Sequence, residues 1–581
     1  MINSVRGRLQ VLLGVVLIGI SGILTTALAQ TSFQVSTQRA QLPDSSELVE
    51  RARDLQATFE RRRRQMLPRF YMGTAERCLI VGRFCEWHAN MGDYKVPDEG
   101  KDIRRARAEL LRELEKLSSV IPGDDWIFGQ RIRYLVEAHD SSLVSVARAC
   151  RATKWWCDGL LGLALHVEGN FLAADSAFAL ALDGMPKYRH CHWIDVSPLL
   201  DDDIRKPYKK MSCSAREAAD ARIWWVSDPL MMIPGNERRT EHFARVLHTD
   251  LEEDGQNPYG LRWGGDLAEL ILRFGWAEKW TQAPPSSIYT GAQASVTGHE
   301  REPGFHFFLT QPPPDDIAQI ADTLFELDQN PPREQYAPIY ARGFVALDAQ
   351  VARFRRGDSS LVVAAYDVSA DTLLRNRKFA AALAASGDEA LLPLVRKTDT
   401  APSKNVMTMT TPWNSQLIGV ELLAYDSTGA ARWRAGFGEI PIDPARIAVS
   451  DLLFVDGGPS LPRDLNDAIA RAHPGTKFRR DRKVGLFWEL YGKAVADSIL
   501  PVSLTLTPID PGLLKRAFRA LRILPTPTPL NIRWQENGAS GLFSARSVLL
   551  DLSLVPSGRY SVKLQIGSDP TAVASRLIEV K

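Results

Sequence analysis

The sequence predicts a multidomain α + β protein with an N-terminal α-helical, repeat-like domain, a central mixed α/β unit and a C-terminal β-sandwich region. Three observations predict it. Apolar residues recur at helical spacing from Ser45 to about Pro186, and five tryptophans crowd the stretch from Arg222 to Gln282. After residue 340, short alternating strands are separated by turns roughly every eight to twelve residues, as in sandwich architecture. At 581 residues, and roughly 150 per domain, three or four domains are expected.

The first residues read as an export signal. Arg6 and Arg8 make a basic start, and Val11 to Leu24 is apolar apart from glycines and Ser21. Ala27-Leu28-Ala29 supplies a small-x-small cleavage site, which makes Gln30 the expected first mature residue. The apolar run falls short of the about 20 residues of a spanning helix, which favours cleavage over anchoring. No later stretch approaches a span. The mature chain is therefore expected to be exported, periplasmic or secreted, without a transmembrane segment. A formal net charge of +2 argues against nucleic acid as a partner.

All six cysteines lie between Cys78 and Cys213, and in an exported chain an even, clustered count reads as disulfides. Cys78 with Cys85, and Cys150 with Cys157, share a Cys-x6-Cys spacing. Along one continuous helix that separation is about 10 Å, too far for a bridge, so either a turn intervenes or each cysteine pairs elsewhere. The favoured bridges are Cys150–Cys157 across a helix–helix turn and Cys191–Cys213 across a loop. The rival for Cys191 is a metal held with His190 and His192. Adjacent residues rarely aim at one ion, and no Cys-x2-Cys accompanies them.

In chain order, a helix is expected from Ser45 to about Met66, with Leu48, Ala52, Leu55 and Phe59 on one stripe. Arg61 to Arg64 read as its solvated end. A second helix, Asp102 to Ser118, offers Ile103, Ala106, Leu110, Leu114 and Leu117, and a helical pair follows between Asp124 and Ala152. Trp155 to Pro186 resembles one tetratricopeptide unit, through Leu161-Gly162, Leu165, Gly169, Phe171, Ala174, Phe178, Ala181 and Pro186, with Asp158 where the motif usually has tryptophan. In the central unit, Asn236 caps a helix whose Phe243, Val246, Leu247 and Leu251 share a face. Asp266 and Glu269 form an Asp-x-x-Glu capping pattern for another helix, which Gly275 ends.

That central unit resembles the middle of bacterial exported proteins carrying the GWxTD domain. Asp228-Pro229 and Asn236 to His242 match the lead-in, Arg262-Trp263-Gly264-Gly265-Asp266 stands for the namesake motif, and Arg273-Phe274-Gly275-Trp276 for the ending. Arg262 in place of glycine, Gly265 in place of threonine, and no proline after Gly275 mark a divergent branch. The resemblance implies an exported protein; that family has no established chemistry to lend. Read from the residues themselves, Arg238, Arg239, Glu241, His242, Arg262 and Asp266 are candidates to line one polar cleft, where a buried His–Glu pair can do acid–base work. Ion pairs tying helices together account for the same residues, and the 100° between neighbours such as Glu241 and His242 favours that account. His299, Glu300 and His306 lack the spacing of a zinc helix.

The expected boundaries are 1–29 for the signal peptide, 30–215 for the helical domain and 216–300 for the central unit. Residues 301–340 follow as a proline-rich linker with one short helix near Asp316 to Leu327. A β-rich domain over 341–470 and a β-sandwich over 471–581 complete the chain. Within these, hairpins are expected at Arg356-Gly357-Asp358 and at Ser427-Thr428-Gly429, with further strands at Val484 to Tyr491, Ser547 to Leu554, Tyr560 to Ile566 and Ala574 to Val580. Nucleophile elbow, phosphate loop, dinucleotide fingerprint and zinc-helix motifs are all absent, so no catalytic, cofactor or metal residue is assigned. The leading expectation is a module that binds an envelope protein or polymer. The alternative is a hydrolase or transferase acting on envelope polymer through a cleft in the central unit.

Overall fold

The structure, a computed structural model, describes residues 44–70, 78–87, 95–283, 296–329, 331–439, 446–492, 499–509, 529–538, 543–567 and 572–581. The signal-like segment lies outside these, as do the side chains of Cys78 and Cys85. Among the described residues no helix is long and apolar enough to cross a membrane.

Helix α1 (Ser45–Met66) buries Leu48, Ala52 and Phe59, and the short hairpin β1 (Cys78–Val81) and β2 (Phe84–Trp87) follows it. Helix α2 (Lys101–Val120) then lays Ile103, Ala106, Leu110, Leu114 and Leu117 into the same core. Asp124 opens α3 (Asp125–Glu137) by accepting from the Ile127 amide at 2.8 Å. Helix α4 (Leu143–Arg148) leads into the antiparallel pair α5 (Lys154–Val167) and α6 (Phe171–Gly184). A Cβ at Gly162 would meet the Phe178 ring at 2.7 Å, so only glycine lets these two helices approach as they do.

Cys150, just past α4, bridges Cys157 in the first turn of α5, because the chain turns between them. Cys191 in α7 (Lys187–Trp193) bridges Cys213, the first residue of α9 (Cys213–Ser227), with α8 (Asp202–Tyr208) in between. That bridge commits the sulfur the metal alternative required.

Helix α10 (Glu237–Glu253) is capped by Asn236, whose Oδ1 accepts from the Arg239 amide at 2.9 Å. The periodicity describes a helix with one apolar face, yet among residues 237–252 only Arg239 escapes burial. The helices before it and the segment after it cover its polar face too. Helix α11 (Gly265–Phe274) corrects the capping expectation: Gly264 is its N-cap, and Asp266 sits inside the first turn with its carboxylate on Arg83. Glu269 turns to Arg273 and Arg333 instead. Gly275, at φ 106°, ends the helix in a conformation other residues rarely adopt.

The hairpin β3 (Lys279–Gln282) and β4 (Val296–His299) follows. The expected linker over 301–340 is core instead. Phe305, Phe307, Phe308, Leu309, Ile320 and Tyr336 are all buried, and the expected helix is two 3-10 turns at Ile317–Gln319 and Asp322–Leu324. Proline breaks regular structure here without loosening the packing, because Phe305, Phe307, Phe308 and Tyr336, which lie between the prolines, are buried.

The first sandwich is built from β5 (Phe344–Ala346), β6 (Ala349–Arg356), β7 (Ser359–Asp367), β8 (Phe379–Ser386), β9 (Leu394–Thr398), β10 (Lys404–Pro412), β11 (Gln416–Ala424) and β12 (Ala430–Phe437). Three strands, β10-β7-β6, face five, β5-β12-β11-β8-β9, across a core that includes Val351, Tyr366, Leu383, Ile418 and Val420. Arg356 of the β6–β7 turn is committed to Glu489, at 2.8 and 3.0 Å. The second sandwich contains β13 (Ala448–Val449), β14 (Leu453–Asp456), α12 (Leu465–Ala470), β15 (Lys477–Phe478), β16 (Lys483–Tyr491), β17 (Ile499–Pro508), β18 (Leu530–Asn537), β19 (Phe543–Asp551), β20 (Gly558–Ile566) and β21 (Val573–Val580). Its sheets, β13-β16-β14 with β19 beside β16 and β15-β21-β20-β17-β18, enclose Leu486, Trp488, Leu504, Val562 and Leu564. Phe354 and Val363 on the back of the three-stranded sheet meet Leu453 and Phe487, so the sandwiches stack. Ser45–Lys581 clusters as one unit.

The helical half docks on the outer face of the five-stranded sheet. Strand β8, FAAALAAS, is buried along its whole length, with the sandwich core on one face and Leu230, Met231 and Met232 among its neighbours on the other. The docking is also polar. Glu421 accepts from the Met231 and Met232 amides at 2.9 and 2.8 Å, and Arg432 and Arg434 donate to the Asp228 carbonyl.

Candidate functional site

Helix α10 carries the polar residues from which a site can be built, and its neighbours claim them one by one. One Glu241 oxygen accepts from Arg245 Nε at 2.6 Å, and the other lies 2.6 Å from His166 Nε2. Thr240 Oγ1 holds the same imidazole at Nδ1, 2.9 Å away. Arg245 also donates to the carbonyls of Leu272, Arg273 and Gln335. Burial alone would push the Glu241 carboxyl up, but the Arg245 charge and the His166 hydrogen bond hold it well below the ordinary carboxylate range. A carboxylate so saturated with donors is a weak base.

Arg238 donates to Glu334 at 2.7 Å with both side chains fully buried, and Glu334 also faces His306 at 3.0 Å. His242 Nε2 lies 2.9 Å from the Trp193 carbonyl oxygen, which only an N–H can satisfy. Burial, with the nearby Arg238 charge, lowers His242 to about 3, so its ring stays neutral and packed against Trp224. Arg239 leaves the side of the helix opposite Glu241 to pair with Asp175. Arg262 is exposed and contributes its carbonyl to Arg83, beside the Asp266–Arg83 pair.

The six residues expected to share one cleft are therefore dispersed. Arg238 and His242 sit in helix packing, Glu241 and Arg239 on different cavities, and Arg262 and Asp266 by the β1–β2 hairpin. Consecutive helical positions diverge by about 100°, and a buried helix finds a different neighbour in each direction. His299 and His306 separate likewise: His299 pairs with Thr281 at 2.8 Å and His306 faces Glu334 at 3.0 Å, while Glu300 is pushed up to about 7 by loss of solvent. Among the described residues no group of three His, Cys, Asp or Glu is placed to hold a metal.

Glu241 and His166 border a cavity of about 120 Å³ together with Arg63, Arg107, Glu137 and Arg245. Its far wall is a second ion-pair seam. Arg63 meets Glu60, Glu99 and Glu137 at 3.5, 3.5 and 3.0 Å, Arg133 meets Glu252 at 3.4 Å, and Tyr134 donates to Glu60 at 2.7 Å. Arg63 is thus no part of a solvated helix end, although Arg61 and Arg62 are exposed. Each acid in this seam is ion-paired to an arginine, although one oxygen each of Glu60, Glu137 and Glu252 has no hydrogen-bond donor.

A larger cleft, of about 750 Å³, lies between α6, α9, the start of α10 and the loop into β9. Trp224, Trp225, Met231, Met232 and Phe243 line it, and Leu391 and Leu392 border it at 68% and 67% exposure. Its charged lining is unbalanced: Asp175, Asp183, Glu217, Asp220, Asp228 and Glu389 against Arg239 and His190. Asp220 accepts from Tyr208 at 2.8 Å, but its other oxygen has no donor; one oxygen of Asp228 is also without one. Burial pushes Asp220 up to about 7 against the Tyr208 hydrogen bond, and pushes Asp228 to about 7 against the opposing Arg434. The sequence singles out neither the cleft nor Asp220, because residues 175, 220, 228 and 391 share no spacing; it marks Asp228-Pro229, Asn236, Arg239 and His190 of the lining, each for another reason.

No protein-family model and no curated protein matches the chain. Among solved structures it is similar to red sea bream transglutaminase over 40% of its own length and 31% of that chain, at 11% identity and a TM-score of 0.12. So loose a likeness carries no argument about fold or activity.

Proposed function

We propose that this is an exported envelope protein that works by binding, a protein- or polymer-interaction module whose ligand sits in the cleft between α6, α9 and the loop into β9. The observation that carries the reading is the contrast between the two polar regions. In the seam each carboxylate has an arginine partner beside a cavity of only about 120 Å³; the cleft combines about 750 Å³ of volume, an apolar floor and more carboxylates than cations in its lining. The two disulfides suit an oxidising compartment. The signal-like start and the resemblance to exported GWxTD proteins point the same way. The test is capture from envelope extract by the chain from Gln30 onward, beside its Leu391→Ser/Leu392→Ser variant. Both leucines are exposed, so the variant is expected to keep its unfolding temperature and lose its partner. Undiminished capture of the same partner would move the site off the cleft.

A second reading, a hydrolase or transferase acting on envelope polymer, draws on Asp220 and Asp228, whose carboxyls titrate near neutrality where general acids operate. It requires release of new ends from isolated envelope polymer, abolished by Asp220→Asn. No release by the wild-type chain leaves binding alone.

A further inference from the structure

Strand β9 ends the five-stranded sheet, with β8 on one side and no described strand on the other. All five of its residues are exposed, and Val395 lines the cleft with Leu391, Leu392 and Pro393 just before it. An unpaired strand edge presents a row of backbone donors and acceptors, which proteins cover or leave for a partner. Of its two charged residues, Arg396 is drawn away to the Thr408 carbonyl of β10, and Lys397 stays on the surface with Asp399 3.3 Å away.

The cleft beside this edge is short of positive charge. Asp175 is answered by Arg239 and Glu389 by Arg222, the latter at 2.6 Å. Asp220 and Asp228 are only 5% and 9% exposed, and each keeps a carboxylate oxygen with no donor. A buried carboxylate without a donor costs free energy that an incoming cation relieves. Trp224, Trp225, Met231 and Met232 supply aromatic and thioether surface for the methylene stem such a cation carries.

We propose that β9 and this cleft bind an extended, basic–apolar polypeptide segment of a partner protein. Its backbone adds a strand to β9, and its lysine or arginine side chains enter the cleft toward Asp220 and Asp228. The unpaired edge favours a polypeptide over a glycan, since only a peptide backbone continues the ladder. This rests on the binding reading of the cleft and names the chemistry of its ligand.

Titration calorimetry on the chain from Gln30 to Lys581 tests it with four probes. These are a blocked octapeptide alternating valine and lysine, its valine–glutamate counterpart, the lysine peptide with alternate amides N-methylated, and a chito-oligosaccharide. The lysine peptide is expected to bind at least about tenfold tighter than the glutamate peptide, with affinity falling as salt rises. N-methylation is expected to weaken it by about tenfold or more. Asp220→Asn/Asp228→Asn should weaken the lysine peptide alone, and Leu391→Ser/Leu392→Ser, at exposed positions, both peptides. Equal affinity for the two charges, indifference to N-methylation, or no peptide binding overturns the proposal. If the glycan binds and the leucine variant abolishes it while no peptide binds, cleft binding stands and the peptide ligand falls. If the leucine variant still captures the partner from extract, the protein binds elsewhere, and the cleft reading falls together with the peptide proposal built on it.

Discussion

The helical half and the second sandwich solve the same burial problem with opposite chemistry. In the sandwich, Leu486, Leu504, Val562 and Leu564 meet across two sheets, and most strand residues facing inward are apolar. In the helical half, one buried helix carries Glu237, Arg238, Glu241, His242, Arg245, His248, Asp250 and Glu252 into the interior, where each needs an answering group. A sheet's two faces separate polar from apolar by alternation, so one face can reach water, as along β17, while β16 is buried on both where the sandwiches stack. A helix surrounded on every side has no outward face, and its polar residues become interior ones. The consequence is that the helical half is the more sensitive to pH and to loss of a single charge, while the sandwich responds chiefly to lost volume.

The strongest way to break that contrast is at Arg238–Glu334. Glu334→Ala strands a fully buried guanidinium and is expected to cost about 3–5 kcal/mol, whereas Arg238→Met with Glu334→Leu recovers most of it. In the sandwich Leu564→Ala is expected to cost about 2–5 kcal/mol through its cavity, with no such rescue by a second truncation. Denaturant midpoints of the three variants decide it. Equal losses for the single and double changes would mean that the Arg238–Glu334 contact is packing and not charge.

The pH dependence separates the regions next. His242 is lowered by burial to about 3 and His299 to about 4, so from near 6.5 down to those values the unfolded chain binds more protons. The contribution of these two histidines to stability therefore falls as pH drops from about 6 to 4. Asp220 runs the other way. Its folded pKa of about 7 lies above its ordinary 3.8, so the native state holds the extra proton between them, and stability is lost as pH rises through that window. The span corresponds to at most about 4 kcal/mol. Asp220→Asn is expected to raise the unfolding temperature at pH 8 and to change it little at pH 4. The reverse pattern would show that the carboxylate is stabilised and not strained.

Reduction comes third. Both described disulfides tie the helical half, and no cysteine lies beyond Cys213, so reductant is expected to lower the stability of that half by about 2–4 kcal/mol per bridge and leave the sandwiches unchanged. Alkylation with and without reductant counts the bridges. The smallest effect is expected at Arg83→Ala. Its ion pair with Asp266 is short at 2.5 Å, but the arginine is 38% exposed, so water screens the loss to under about 1 kcal/mol.

The sequence by itself determines the order of helices and strands wherever a period is visible. Helix α1 begins and ends at Ser45 and Met66 as the stripe predicts, Asn236 caps α10, and the hairpins close at Gly357 and Ser427 to Gly429. For Cys150–Cys157 helix geometry says only that a turn must intervene if the two pair, and the break between α4 and α5 supplies it. Local rules suffice there, since each depends on residues within a turn or two. Strand β8 was beyond them: FAAALAAS has the alanine content of a helix, and being buried on both faces it shows no alternation. The fate of the polar residues was decided only in three dimensions. Glu241 finds His166 from 75 residues away, Arg238 finds Glu334 from 96, and Asp220 is left with an oxygen that nothing reaches. Whether a charge is paired, strained or available depends on which distant surface closes over it, and no spacing along the chain records that.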